Sequence, residues 1–283
     1  MLLDFSINFL YNFMFESLKS YDVSNVKQYI VDRRNNKTFD NIESYLRFHN
    51  KPIKPFYYKS GTGPDAIYST AYINIHNEER IKTNKDFYIA GSSGASIIST
   101  LIKCKKNKLN LDTWFQNLEK DNLLFYEWFN LFRDSYIMKN FTIDDFYYDE
   151  IFINVLCFDP FNNEFKIMFF TNFKDLDDLC DCIQASCFIP KITNKNSIYY
   201  FDRFFALDAG FIDYLFNFTY SITNENYEEN DFLKNCYNYL NSPYKNDFSK
   251  NILSSFFKNY NNDYSIKIPF KQLFHDSKKS IEK

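Results

Sequence analysis

Apolar positions fall in two rhythms along the chain. From Phe56 onward, short apolar runs alternate with clusters of small residues. FYY (56–58) reads as a strand, SGTGP (60–64) as a turn and AIYSTAYINI (66–75) as a helix. The order repeats with DFYIA (86–90), the sharp turn GSSGAS (91–96) and the helix IISTLIK (97–103). Strand, small-residue turn and helix in succession predict an α/β fold with a largely parallel sheet. INVLCFD (153–159) and FKIMFF (165–170), divided by PFNNE (160–164), predict a hairpin. LDDLCDCIQAS (176–186) predicts a helix with an acidic start, stopped by Pro190. YYFDRFFAL (199–207) predicts a strand that runs into Asp208.

The ends follow the other rhythm. Residues 1–50 read as helical, with Phe9, Leu10, Phe13, Met14 and Leu18 at helical spacing. An amphipathic helix packed on the core accounts for this. A membrane-surface helix is the alternative, although the polar face lacks the Lys and Arg of such helices. Residues 111–149 are rich in Trp and Phe and read as helical. Beyond about residue 220 the chain is polar and Asn-rich, with helical patches and a Lys-rich end. Three parts result: a helical extension (1–50), an α/β domain (51–220) and a helical or partly disordered extension (221–283).

Composition narrows the classes. Aromatic residues make up 21 % of the 283 residues, enough to fill a sizeable core, which excludes disorder as the main state. A net charge of −3 lacks the footprint of a nucleic-acid binder. The cluster Lys103, Lys105, Lys106 and Lys108 reads as a solvated face. Six cysteines without a C-x-x-C pair, and three histidines, give no zinc pattern, so the reading needs no metal and no cofactor. The start has no basic n-region and is interrupted by Asp4, Asn8, Asn12 and Glu16, unlike a signal peptide or a membrane span. The expected setting is cytoplasmic, with reduced cysteines.

Three stretches carry candidate chemistry. IAGSSGASII (89–98) places serines between a strand and a helix among tiny residues, as in a nucleophile elbow. Taking Gly91 as the first small residue selects Ser93 and puts Ala95 last; taking Ala90 selects Ser92 and puts Gly94 last. Ser93 is preferred because it keeps the first glycine. SGTGP offers a row of backbone N–H groups to an oxyanion; as a phosphate loop it lacks the G-x-x-x-x-G-K-[ST] pattern. ALDAGFIDYLF (206–216) sets Asp208 at a strand end, where it serves as a general base or as a structural cap. Ser93, Asp208 and His275 also follow the chain order of an α/β-hydrolase triad, but His275 sits in the Lys-rich tail FHDSKKSIEK, as a surface histidine would.

Together these stretches resemble the patatin-like phospholipase family, most of all its adipose triglyceride lipase branch. Gly61-Thr62-Gly63, Gly91-Ser92-Ser93-Gly94-Ala95, Ser186-Cys187-Phe188-Ile189-Pro190 and Asp208-Ala209-Gly210 stand in the family's order. Tyr68, and the run Asp208, Gly210, Phe211, Asp213 and Leu215, fit the branch as well. The resemblance spans roughly residues 55–216. It implies a three-layer patatin-like fold and a Ser-Asp dyad: Ser93 as nucleophile (Ser92 the alternative), Asp208 as base, and Gly61, Thr62 and Gly63 as the oxyanion hole. It also implies a membrane-lipid or lipid-droplet substrate, a peripheral location and room for a protein activator or inhibitor. Ala95 and Ala209 stand where the family has glycine, and Asp65 where many members have a basic residue. Ala209 would be strained if its φ were positive. These departures define the rival reading, an impaired patatin-like protein that binds lipid or regulates.

Overall fold

Strand β6 (Ile151–Asp159) is buried along its whole length and is the axis of the structure. Its apolar run needs cover on both faces, and it has it. Ile151, Ile153, Val155 and Cys157 face one core, while Phe152, Leu156 and Phe158 face the other. The computed structural model describes residues 17, 22, 26–189, 193–194, 198–210, 230–238 and 267–283. Phe9, Leu10, Phe13, Met14, Leu18, Pro190, Phe211, Asp213 and Leu215 lie outside them.

Among the described residues the main sheet has eight strands. Its path runs β2 (Lys37–Phe39), β1 (Lys27–Asp32), β7 (Glu164–Thr171), β6, β4 (Tyr88–Ser92) and β3 (Phe56–Lys59). Strand β9 (Phe204–Asp208) also pairs with β6, and β8 (Tyr200–Phe201) with β9. Pairs β1–β7, β3–β4 and β4–β6 are parallel. Pairs β1–β2, β6–β7, β6–β9 and β8–β9 are antiparallel. The sheet is therefore mixed, not largely parallel. Each tight connection inside it reverses the chain, and a short turn can join only antiparallel neighbours.

One edge of β6 is shared by two strands running head to head. β4 pairs with Ile151–Asn154 in parallel. β9 pairs with Val155–Phe158 antiparallel. The C-terminal ends of β4 and β9 consequently meet where Asn154 gives way to Val155.

Helices cover both faces. On one lie α2 (Ala66–Ile75), α4 (Gly94–Ile102), α8 (Leu176–Ser186) and α10 (Phe270–Ile281). On the other, Tyr45 and Leu46 of α1 (Ile42–Phe48) pack against Phe56, Tyr88, Phe152 and Phe169. Helix α8 starts where the sequence expects: the Asp175 side chain accepts the Asp178 amide at 2.8 Å, and acids occupy the first turn.

Three expectations are corrected. Residues 27–39 are not helical; they form β1 and β2 of the main sheet, with Ile30 and Val31 buried. Their mixed polarity suits a strand half-covered near the sheet edge. The C-terminal end is helical over Phe270–Ile281, as the sequence expects, but this helix is no extension: α10 buries Phe270, Leu273 and Phe274 against α2 and its neighbours. Lys103 does not lie on a solvated face: it is buried and donates to the Asn84 carbonyl at 2.6 Å and to Glu150 Oε2 at 3.0 Å. Burial, opposed by Glu150, lowers its pKa to about 8. Among the described residues no helix is long and apolar enough to cross a membrane. All six cysteines are buried free thiols.

Candidate active site

Ser93 joins β4 to α4 with φ 54° and ψ −134°. Such backbone costs a serine about 1–3 kcal/mol and persists only where its surroundings enforce it. The next residue opens the helix, which is the strand-turn-helix placement of an elbow. Ser92, the alternative nucleophile, ends β4 and is fully buried. Its Oγ accepts from the Tyr58 hydroxyl at 3.2 Å, and that hydroxyl accepts from Asn154 Nδ2 at 3.3 Å. Ser92 is thus part of a polar row within the sheet, while Ser93 faces the loop after β3.

That loop is Gly61-Thr62-Gly63. A Cβ placed on Gly61 would lie 3.6 Å from Ser93 Oγ and 3.8 Å from Asp208 Oδ1. The serine hydroxyl and the Asp208 carboxylate therefore face one small space above Gly61, although 114 residues separate them in the chain. Asp208 is aimed locally: its Oδ1 accepts the Gly210 amide at 2.8 Å. Ser93 is 8 % exposed and Asp208 4 %, so the pair is largely screened from bulk water. Among the described residues no hydrogen bond engages the amides of Gly61 or Thr62. Gly63 takes φ 52°. The Thr62 hydroxyl is buried and has no partner among the described residues.

The chain has five glycines in all, and each lies in this site: Gly61, Gly63, Gly91, Gly94 and Gly210. A Cβ on Gly94 would come within 2.6 Å of Thr62 Oγ1 and 2.9 Å of the Gly63 carbonyl. One on Gly91 would lie 2.7 Å from Ser99 Oγ and closer still to the Ala95 carbonyl. One on Gly210 would stand 3.0 Å from Asp208 Oδ1. Elsewhere, left-handed backbone is carried by Asn36, Asn50, Asn110, Asn122, Asn163 and Asn172, and by Asp202 and Arg203 between β8 and β9. Asparagine tolerates the torsion but not the loss of space, so the site is where a side chain does not fit. Glycine scarcity is the signal in the sequence that isolates these three segments most cleanly.

The departures from the glycine pattern are accommodated. Ala209 is buried and does not have a positive φ, so it carries no left-handed strain. Ala95 is buried in the core, and the close approach falls on Gly94 instead. Asp65 precedes α2 in αR backbone, half-buried. His275 lies on α10, and no hydrogen bond among the described residues links it to Ser93 or Asp208. Tyr68 is buried in α2.

One contributor was not assigned a role from sequence. Ser186, at the end of α8, accepts the Ser93 amide on its Oγ at 2.9 Å. The stretch Ser186–Pro190 stands out in the chain, but bonds to main-chain groups of distant elements leave no residue-type signal that would reveal the role of its serine. Cys187 beside it is pushed well above its ordinary pKa by burial and then by the Asp208 charge, and stays a neutral thiol. A narrow recess bordered by Phe125, Phe129, Cys187 and Phe188 lies next to it. Among the described residues no group of three or more His, Cys, Asp or Glu gathers to hold a metal ion.

No family model, no curated protein and no solved structure matches the chain.

Proposed function

We propose that the protein is a serine acyl hydrolase of patatin-like type, cleaving carboxylic esters of membrane or storage lipids with the dyad Ser93 and Asp208. The observation that carries this is the common space above Gly61, faced by the elbow hydroxyl and the aspartate carboxylate. A hydroxyl, a carboxylate and unengaged main-chain amides around one point are the parts acyl transfer needs. The three-layer patatin-like arrangement is the corresponding proposal for the fold.

The chemistry follows from those parts. Ser93 Oγ attacks the ester carbonyl carbon while Asp208 takes the hydroxyl proton. Negative charge gathers on the former carbonyl oxygen, facing the amides of Gly61, Thr62 and Gly63 and the N-terminus of α4. Collapse breaks the bond to the alcohol oxygen, which receives the proton from Asp208. Water then adds to the Ser93 ester with Asp208 again as base, releasing the acid and restoring the serine. No histidine takes part. A lipid surface as partner is consistent with Phe161, 90 % exposed in the β6–β7 turn, and Tyr200, 63 % exposed in β8.

Labelling with a fluorophosphonate probe tests the reading. Wild type and Ser92→Ala form the adduct, Ser93→Ala does not, and Asp208→Asn loses hydrolysis of p-nitrophenyl butyrate. A folded wild-type chain that takes up no probe and turns over no ester, yet binds lipid vesicles, would favour the impaired lipid-binding reading.

A further inference from the structure

Both members of the dyad are bonded to one short stretch, Ser186–Phe188, at the C-terminal end of α8. The Ser186 hydroxyl accepts the Ser93 amide at 2.9 Å and gives its own proton to the Asn154 carbonyl of β6 at 2.6 Å. Two residues later, the Phe188 carbonyl accepts the Asp208 amide at 2.9 Å. Between them, Cys187 Sγ lies 3.9 Å from Ser96 Oγ in the first turn of α4. Ser186, Cys187 and Phe188 are all buried.

We propose that Ser186–Phe188 is a positioning clamp, which fixes the strained elbow and the carboxylate strand to the same point of β6 and withdraws the Ser93 amide from the oxyanion hole. The bonding inventory leads there. Ser186 has one hydroxyl proton, and Asn154 takes it; its oxygen is then free to accept the Ser93 amide. That amide, held at the end of a buried two-bond chain, does not turn toward a substrate. The oxyanion donors are then the amides of the Gly61–Gly63 loop. Ser186 touches neither substrate nor reacting atoms, so its role is to position. The clamp rests on the acyl-hydrolase reading, since its consequence is kinetic.

Ser186→Ala tests it, with Ser69→Ala as a matched control. Ser69 is also buried, and its hydroxyl also donates to a main-chain oxygen, that of Cys236 at 2.7 Å. Misplacing a reacting group by about 1 Å typically costs on the order of 100-fold in rate. The expected result is therefore a kcat for p-nitrophenyl butyrate lowered about 100-fold in Ser186→Ala with KM unchanged, and kcat retained in Ser69→Ala. A folded Ser186→Ala with wild-type kcat overturns the clamp. Should that variant not fold, amide hydrogen exchange on the unaltered chain decides. The Ser93 amide is expected to exchange slowly and the Gly61 amide quickly; equal, rapid exchange of both overturns the proposal. A wild-type chain without esterase activity or probe adduct sinks the hydrolase reading instead, and the exchange rates still judge the clamp geometry.

Discussion

At the scale of single residues, the decisive quantity is the room left for a Cβ. Gly94 abuts Thr62 and Gly63 so closely that one methyl must push the elbow away from the loop. Gly94→Ala is expected to cost about 1–3 kcal/mol of stability and to lower esterase activity more than the fold loss explains. Urea unfolding alongside initial rates separates the two. A second residue-scale prediction concerns Asp32, a buried carboxylate at the end of β1. It accepts from the Asn35 amide, Asn35 Nδ2 and Asn172 Nδ2, each at 2.9 Å, and lies 2.6 Å from His49 Nε2. Burial acts to raise its pKa, but the hydrogen bonds from Asn35, His49 and Asn172 outweigh this and leave it below the ordinary 3.8. As pH falls, the unfolded chain takes the proton first. The stability Asp32 contributes is thus complete above its unfolded value and disappears as pH falls through its folded value. Urea midpoints taken stepwise from pH 6 into strong acid should drop steeply for wild type, with a flatter acid limb for Asp32→Asn.

At the scale of elements, α10 shows how a tail becomes core. Phe274 stacks on Phe115 at 4.0 Å, and Phe270 on Trp128 at 4.6 Å. Phe274→Ala should cost about 3–5 kcal/mol, read as a lower midpoint in thermal unfolding. His275→Ala, on the next residue, should leave ester hydrolysis at the wild-type level; a large loss would reinstate the triad. Some elements were legible in the chain itself. The helices at Ala66–Ile75 and Leu176–Ser186 have the expected bounds, because small residues or an acidic cap mark their starts. The turn that sets Ser93 between β4 and α4, and the place of Asp208 at the end of β9, were legible because short-range steric needs fix their neighbours. β1 was not, because KQYIVD begins with exposed or half-exposed Lys27, Gln28 and Tyr29 and shows no alternation. Lys103 was misread because its partners, the Asn84 carbonyl and Glu150, are brought up by other elements. The parallel bias was overread because strand-turn-helix order says nothing about which strands become neighbours.

At the scale of the molecule, the first described strands are structural members of the sheet. β1 pairs with β7 through six residues, and Tyr45 of α1 lies fully buried against the core. A chain starting at Lys51 should therefore fail to show cooperative unfolding by circular dichroism, whereas an accessory extension could be removed without that effect. The meeting of β4 and β9 along β6 has a further consequence, for changes of length rather than of side chain. A residue added within β9 or the second half of β6 would turn the carboxylate to the opposite face of the sheet. Residues added to the loops between Cys104 and Glu150 would leave the spacing at Asn154 and Val155 untouched. Insertions are thus tolerated over long intervals of the chain and forbidden over the few positions that β4 and β9 use as a common ruler.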